Sequence, residues 1–123
     1  MISYEDFKKV EIRAGKILSA EKIPDTDKLL KLSVDFAEMK EVVLEDSTKE
    51  SRPVPRQIVS GIALYFPDPT VLIGKTCMFV TNLEPRTIRG FESNGMLFAV
   101  SNGEGGFSLL EPNGSILPGT MAA

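Results

Sequence analysis

The sequence predicts an all-β protein, either a barrel or a sandwich. Two observations carry that expectation. Apolar and polar residues alternate around Ile12 and again around Leu32, the period-two spacing of a strand with one buried face. Turn chemistry, PDTD at 24–27 and SNGEGG at 101–106, cuts the chain into short segments of the kind that build such folds.

Taken in order, Ser3 followed by Asp6 predicts a short capped helix over SYEDFKK. Val10, Ile12 and Ala14 then alternate with Glu11 and Arg13, and the apolar residues resume at Ile17 and Leu18. Residues 10 to 22 read as one long strand, with Gly15 as the expected bulge or bend. After PDTD, Leu30, Leu32 and Val34 alternate with Lys31 and Ser33 in a second strand. Residues 36 to 55, acidic and carrying Pro53 and Pro55, read as an extended loop. QIVSGIA is a strand, and PDPTVLIG a single helical turn closed by Gly74. KTCMFVTN is a strand with apolar side chains on both faces, which implies two-sided burial. Residues 82 to 96, with Pro85, Gly90 and Gly95, read as a loop; GMLFAV and FSLLEP are strands on either side of SNGEGG.

One domain over residues 1–123 is expected, because a chain of 123 residues buries roughly two thirds of its unfolded surface without disulfides. The single cysteine, Cys77, excludes an intrachain disulfide. No apolar run reaches the length of a membrane span, and MISYEDFKKV lacks the apolar core of a signal peptide. The cytoplasm is the expected compartment, and no membrane partner is expected. Catalysis is also not expected. With no histidine in the chain, the commonest general base and metal ligand is missing. Cys77 lies in a strand pattern with no base beside it. Asp25 and Asp27 mimic the start of a calcium loop, but Leu30 and Phe36 occupy the positions that need glycine and glutamate. No metal and no cofactor are expected.

The formal charge of −3 is unevenly spread: residues 35 to 50 sum to −4 and the remainder to +1. A locally basic surface is therefore compatible with an acidic chain. Arg86 and Arg89 lie three apart in the 82–96 segment, and the planar fork of arginine suits phosphate. A solvated loop paired with Glu84 or Glu92 is the competing reading. Asn82, Ser93 and Asn94 are candidates for neutral bonds to phosphate or ribose, and Phe91 for a base or ribose contact. If Val10, Ile12, Leu30 and Leu32 face the core, Arg13 and Lys31 face out. With Lys16 and Lys28 they would form a modest basic stripe on the first two strands.

The runs KVEIRAGKILSAEKIPDTDKLLKLSVD, RQIVSGIALYF and NLEPRTIRGFESNGMLFAV closely resemble one family. It is the tRNA-binding domain found at the C-terminus of bacterial methionyl-tRNA synthetases and as small free-standing tRNA-binding proteins. The likeness runs from about Asp6 to about Pro118. It implies an OB-fold, a five-stranded barrel, with a short N-terminal helix and a C-terminal β extension. It further implies a homodimer that binds tRNA by shape with little sequence preference and catalyses nothing. Arg13, Lys16 and Lys28 match the basic positions of the family's first motifs, with Lys31 beside them; Asn82, Arg86, Arg89, Ser93 and Met96 match the segment that shapes the RNA-contacting loop. The implied partners are tRNA, a second copy of the chain and a methionyl-tRNA synthetase. This chain departs from the family at Thr87, where a second basic residue is common, and in the long acidic 36–55 segment. Met1 directly precedes the matching region, as in a free-standing protein, although a piece of a longer synthetase would read the same. Two other readings stay open. One is an export-related, chaperone-like peptide binder of the same fold, a branch that departs from the Gly95-Met96-Leu97 signature kept here. The other is a pure dimerisation module.

Overall fold

A computed structural model describes residues 1–123. The helix α1 (Tyr4–Phe7) starts where the sequence placed it. Ser3 Oγ accepts from Asp6 N–H at 3.1 Å while the Asp6 carboxylate accepts from Ser3 N–H, so two otherwise orphaned donors are satisfied reciprocally. The barrel strands are β1 (Ile12–Lys22), β2 (Leu30–Asp35), β5 (Arg56–Ser60), β6 (Thr76–Val80) and β9 (Met96–Leu97), all pairing antiparallel in the order β5-β2-β1-β6-β9. Backbone contacts nearly close the ring: Asn94 N–H donates to the Gln57 carbonyl at 2.8 Å beside β9. Between them lie the ribbons β3 (Met39–Val43) with β4 (Lys49–Pro53) and β7 (Arg86–Ile88) with β8 (Phe91–Ser93). β10 (Ala99–Ser101) and β11 (Phe107–Leu109) pair beyond the barrel.

The period-two residues fill the interior. Ile17, Leu30, Leu32, Val34, Phe36, Ile58, Leu72, Cys77 and Phe79 are essentially inaccessible to water. Burial of each large aliphatic side chain contributes about 1.5–3 kcal/mol, and Phe36 meets Phe79 edge to face at 5.2 Å. The turn at Pro69–Leu72 forms as expected, with Asp68 capping it through Thr70 N–H. β6 is covered on both sides, with Phe79 and Val80 both buried.

Several expectations are corrected. Gly15 is not the bulge; the register of β1 against β2 slips between Ile17 and Ser19, at Leu18. Gly15 is instead a point of close approach, since a Cβ there would lie 2.5 Å from Phe36 Cε1. The 36–55 segment is not a loop. Its ten ladder residues form the β3–β4 hairpin, turned by Asp46, whose carboxylate accepts from Thr48 N–H and Oγ–H. All but Val42 are exposed, so this ribbon stands away from the barrel. GMLFAV is two strands, because Phe98 N–H donates to the Met78 carbonyl and the chain then leaves the barrel. The C-terminal extension reaches back along β1: Ala14 N–H donates to Thr120 O, and Ala122 N–H to Ile12 O, both at 2.8 Å. It occupies the edge of β1 that β2, paired only from Lys16 onward, leaves open.

Candidate nucleic-acid interface

The 82–96 segment, expected as a loop, is built around a β-hairpin. Its two-residue turn is Arg89-Gly90, both in the left-handed region at φ 52° and 84°. Such a turn matches the twist of the flanking strands, and asparagine or glycine is the usual first residue. An arginine there costs about 1 kcal/mol of backbone strain. The hairpin runs along the edge of β5 that is not paired with β2. Gln57 Nε2 donates to the Glu92 carbonyl at 3.0 Å, Val59 N–H donates to Ser93 Oγ at 3.0 Å, and Lys31 Nζ sits 4.9 Å above the Phe91 ring. The tip therefore reaches the 23–29 loop between β1 and β2. Arg89 lines one cavity of about 340 Å³ with Asp25, Thr26, Asp27, Lys28 and Leu29.

Lys28, Arg86 and Arg89 are exposed and form no ion pair. Lys31 shares the cluster but is divided between Phe91 and Glu21, whose carboxylate is 3.6 Å away. Lys22 was overlooked in the sequence. It ends β1, carries no ion pair, and lines the other side of the same loop with Thr26, Asp27 and Leu29. Its signal was position alone, a cation two residues before Pro24 of the PDTD turn. Asp25 and Asp27 sit among these cations, so the cluster is positive by a small margin.

The remaining candidates lie elsewhere or do other work. Arg13 does not face out. Its cross-strand partner is the core residue Phe79, and its Nε lies 2.9 Å from Glu11 Oε1 with the N–H not aimed at that oxygen. The premise fails at Val10, which is exposed. Lys16 is exposed on the outer face but stands opposite Asp35, four residues along β2 from Lys31 and so about 13 Å from it by strand rise. The expected basic stripe is thus a surface of mixed sign. Asn82 and Ser93 both bind the protein's own backbone. Asn82 Oδ1 accepts from Glu11 N–H at 2.8 Å and its Nδ2 donates to Lys9 O at 2.7 Å, which ties the N-terminal segment to the root of the hairpin. Ser93 Oγ, buried, donates to Gly95 O while accepting from Val59. Met96 is half exposed on β9, opposite Val80. Phe91 is half-buried beneath Lys31, so one face of its ring is already taken.

A second charged cluster lies at the root of the hairpin. Arg56 grips both oxygens of Glu38 at 2.6 and 2.8 Å. The Arg56 hydrogen bonds hold the Glu38 carboxyl below its ordinary value, and Glu38 raises the arginine in turn. Thr81 Oγ–H, 2.7 Å from Glu11 Oε1, lowers Glu11 likewise, with Arg13 helping. No set of carboxylate and cysteine side chains gathers as metal ligands would.

A barrel of five antiparallel strands whose 23–29 and 81–95 loops meet beside β2 and β5 has the OB arrangement. The family model described as "Putative tRNA binding domain" matches residues 12–121. The chain belongs to the tRNA-binding domain family. The methionine–tRNA ligase of Methanoregula boonei is 46% identical over 120 residues, which is 98% of this chain and 15% of that protein. The chain thus spans about a seventh of such a relative's length. Among solved structures, a MetRS-related protein from Pyrococcus horikoshii superposes with a TM-score of 0.78 at 33% identity, covering 100% of this chain and 98% of that one. The chaperone CsaA from Bacillus anthracis superposes at 0.76 with 26% identity, covering 100% and 99%. No helix in this member of the family is long and apolar enough to cross a membrane.

Proposed function

We propose that residues 1–123 act as one non-catalytic tRNA-binding module that works as a homodimer, reads tRNA by shape rather than sequence, and assists an aminoacyl-tRNA synthetase. The observation that carries this reading is the meeting of Arg89 with the Lys28 loop beside the β2–β5 face. Cations there displace counterions from phosphates, which gives affinity without base reading, and folded RNA is recognised through its backbone and 2′-hydroxyls. The homodimer is supported by an apolar hollow where the two chain ends meet, lined by Tyr4, Phe7, Val10, Ile12 and Met121. A C2 pairing through it would present two RNA surfaces. Electrophoretic mobility of total tRNA across a salt series, with sedimentation for the dimer, tests the proposal. Retardation that fades with salt is expected; no retardation at low salt from an intact dimer would leave a dimerisation module.

The likeness to a solved chaperone favours a second reading, a binder of unfolded chains. Filter binding separates the two. Salt-insensitive retention of a denatured protein without retention of tRNA selects the chaperone.

A further inference from the structure

Arg56 opens β5 on the barrel wall, and each of its side-chain bonds is made to the protein itself. Its Nη1 donates to the Thr81 carbonyl at 2.6 Å and to the Asn94 carbonyl at 3.3 Å. Thr81 directly precedes the 82–93 segment and Asn94 directly follows it. The other side of the guanidinium is committed to both Glu38 oxygens, and its carbon lies 5.4 Å from the Phe36 ring centroid. Other bonds hold one end of the hairpin each: Asn82 reaches Lys9 and Glu11, and Gln57 reaches Glu92. Arg56 is the one side chain that donates to both ends. Glu38 belongs to the root of the acidic β3–β4 ribbon, immediately before Met39. That ribbon therefore supplies the carboxylate that aims the arginine.

We infer that Arg56, oriented by Glu38, is a positioning residue: it clamps the two roots of the Arg86–Arg89 hairpin and so sets where those cations meet RNA. The inference rests on the tRNA-binding reading for its consequence, but not for its geometry. Four donors in a fixed planar fork are needed to serve one carboxylate and two carbonyls at once, which a lysine ammonium cannot do. These bonds take four of the five N–H donors of Arg56 and leave a single Nη2 N–H, too few for a two-pronged grip on phosphate, so its loss is expected to weaken binding without changing the number of ions released.

The test compares Arg56→Met, Arg56→Lys and Glu38→Gln. For Arg56→Met, tRNA affinity at fixed salt is expected to fall about tenfold, the equivalent of one charge-assisted hydrogen bond, with the log–log salt slope kept. Arg56→Lys is expected not to rescue it. Glu38→Gln is the deciding variant. Removing a negative charge raises affinity if Arg56 meets RNA directly, but lowers it severalfold if Arg56 positions the hairpin. Amide hydrogen exchange supplies a readout without RNA: protection of residues 86–93 is expected to drop in these variants while that of Leu32 and Val34 holds. Unchanged hairpin protection in a folded variant, or tighter binding by Glu38→Gln, overturns the inference. Should Arg56→Met not fold, Glu38→Gln alone decides. Failure of the unmodified protein to bind tRNA overturns the functional reading instead, and the exchange experiment still judges the clamp.

Discussion

Arg89 offers a substitution whose effects on stability and on binding should have opposite signs. Its φ of 52° is one that asparagine adopts readily and arginine does not. Arg89→Asn should therefore leave the fold intact and add up to about 1 kcal/mol to unfolding stability. The same change removes one of four unpaired cations, Lys22, Lys28, Arg86 and Arg89, around the hairpin and the 23–29 loop. If each takes one phosphate, the slope of log K against log salt is about −3.6, and about −2.7 for the variant, at roughly 0.9 per phosphate. Raising salt from about 50 to about 200 mM then weakens the unmodified chain about 150-fold and the variant about 40-fold. Gel retardation of tRNA at several salt concentrations gives the slopes, and urea unfolding the stability. An unchanged slope would show that Arg89 meets no phosphate. A clear loss of stability would show that its side chain, not its charge, is what the turn requires.

Gly15→Ala places a methyl 2.5 Å from Phe36 Cε1 and 2.6 Å from Val34 Cγ1, so overpacking should cost about 1–3 kcal/mol in urea unfolding. Ser93→Ala strips the acceptor from Val59 N–H, and an unpaired buried donor should cost about 1–3 kcal/mol in the same assay. Burial, with Glu111 nearby, pushes the Cys77 thiol up to about 11, so at pH 8 a thiol reagent should label it only as fast as the chain opens. Because the folded Glu38 carboxyl titrates below its ordinary 4.5, its contribution is full above that pH and is lost as pH falls through the lower folded value. The stability gap between the unmodified chain and Glu38→Gln should accordingly be widest at neutral pH and close in acid.

What could be read from the sequence was local. Leu30, Leu32 and Val34 alternate because one face of β2 is core, and that pattern needs no knowledge of neighbours. Ser3 and Asp6 cap each other across three residues. The β3–β4 ribbon gave no such pattern because neither of its faces is buried, so alternation was never selected there. The outward face expected for Arg13 depended on Val10 and Ile12 pointing to the core, but Val10 lies outside the strand and Ile12 lines the apolar hollow beside Tyr4 and Met121. The bulge was assigned to glycine on composition, whereas the register slips at Leu18. The roles of Asn82 and Arg56 depend on partners 71 and 73, or 18, 25 and 38, residues away, which no window along the chain contains. The Lys28–Arg89 meeting is equally non-local; the family resemblance named both residues, but only the fold brings them to one cavity.

The division of labour within the 82–96 motif bears on how far the motif speaks for function. Asn82 and Ser93 spend their polar atoms on the protein, and the Arg89-Gly90 pair sets the turn. These positions specify a shape. On the tRNA-binding reading, affinity rests on the cations that the shape carries, and those are few. Thr87 pairs across the hairpin with Glu92, so that rung contributes no positive charge. A chain can therefore keep the motif while its hold on RNA weakens, because the bonds that preserve the hairpin and the charges that meet phosphate are on different residues. Shape retention and charge retention must be measured separately, the first by exchange protection of residues 86–93 and the second by the salt slope. Both bear on how tightly this acidic chain would hold a polyanion, and only the second counts the phosphates met.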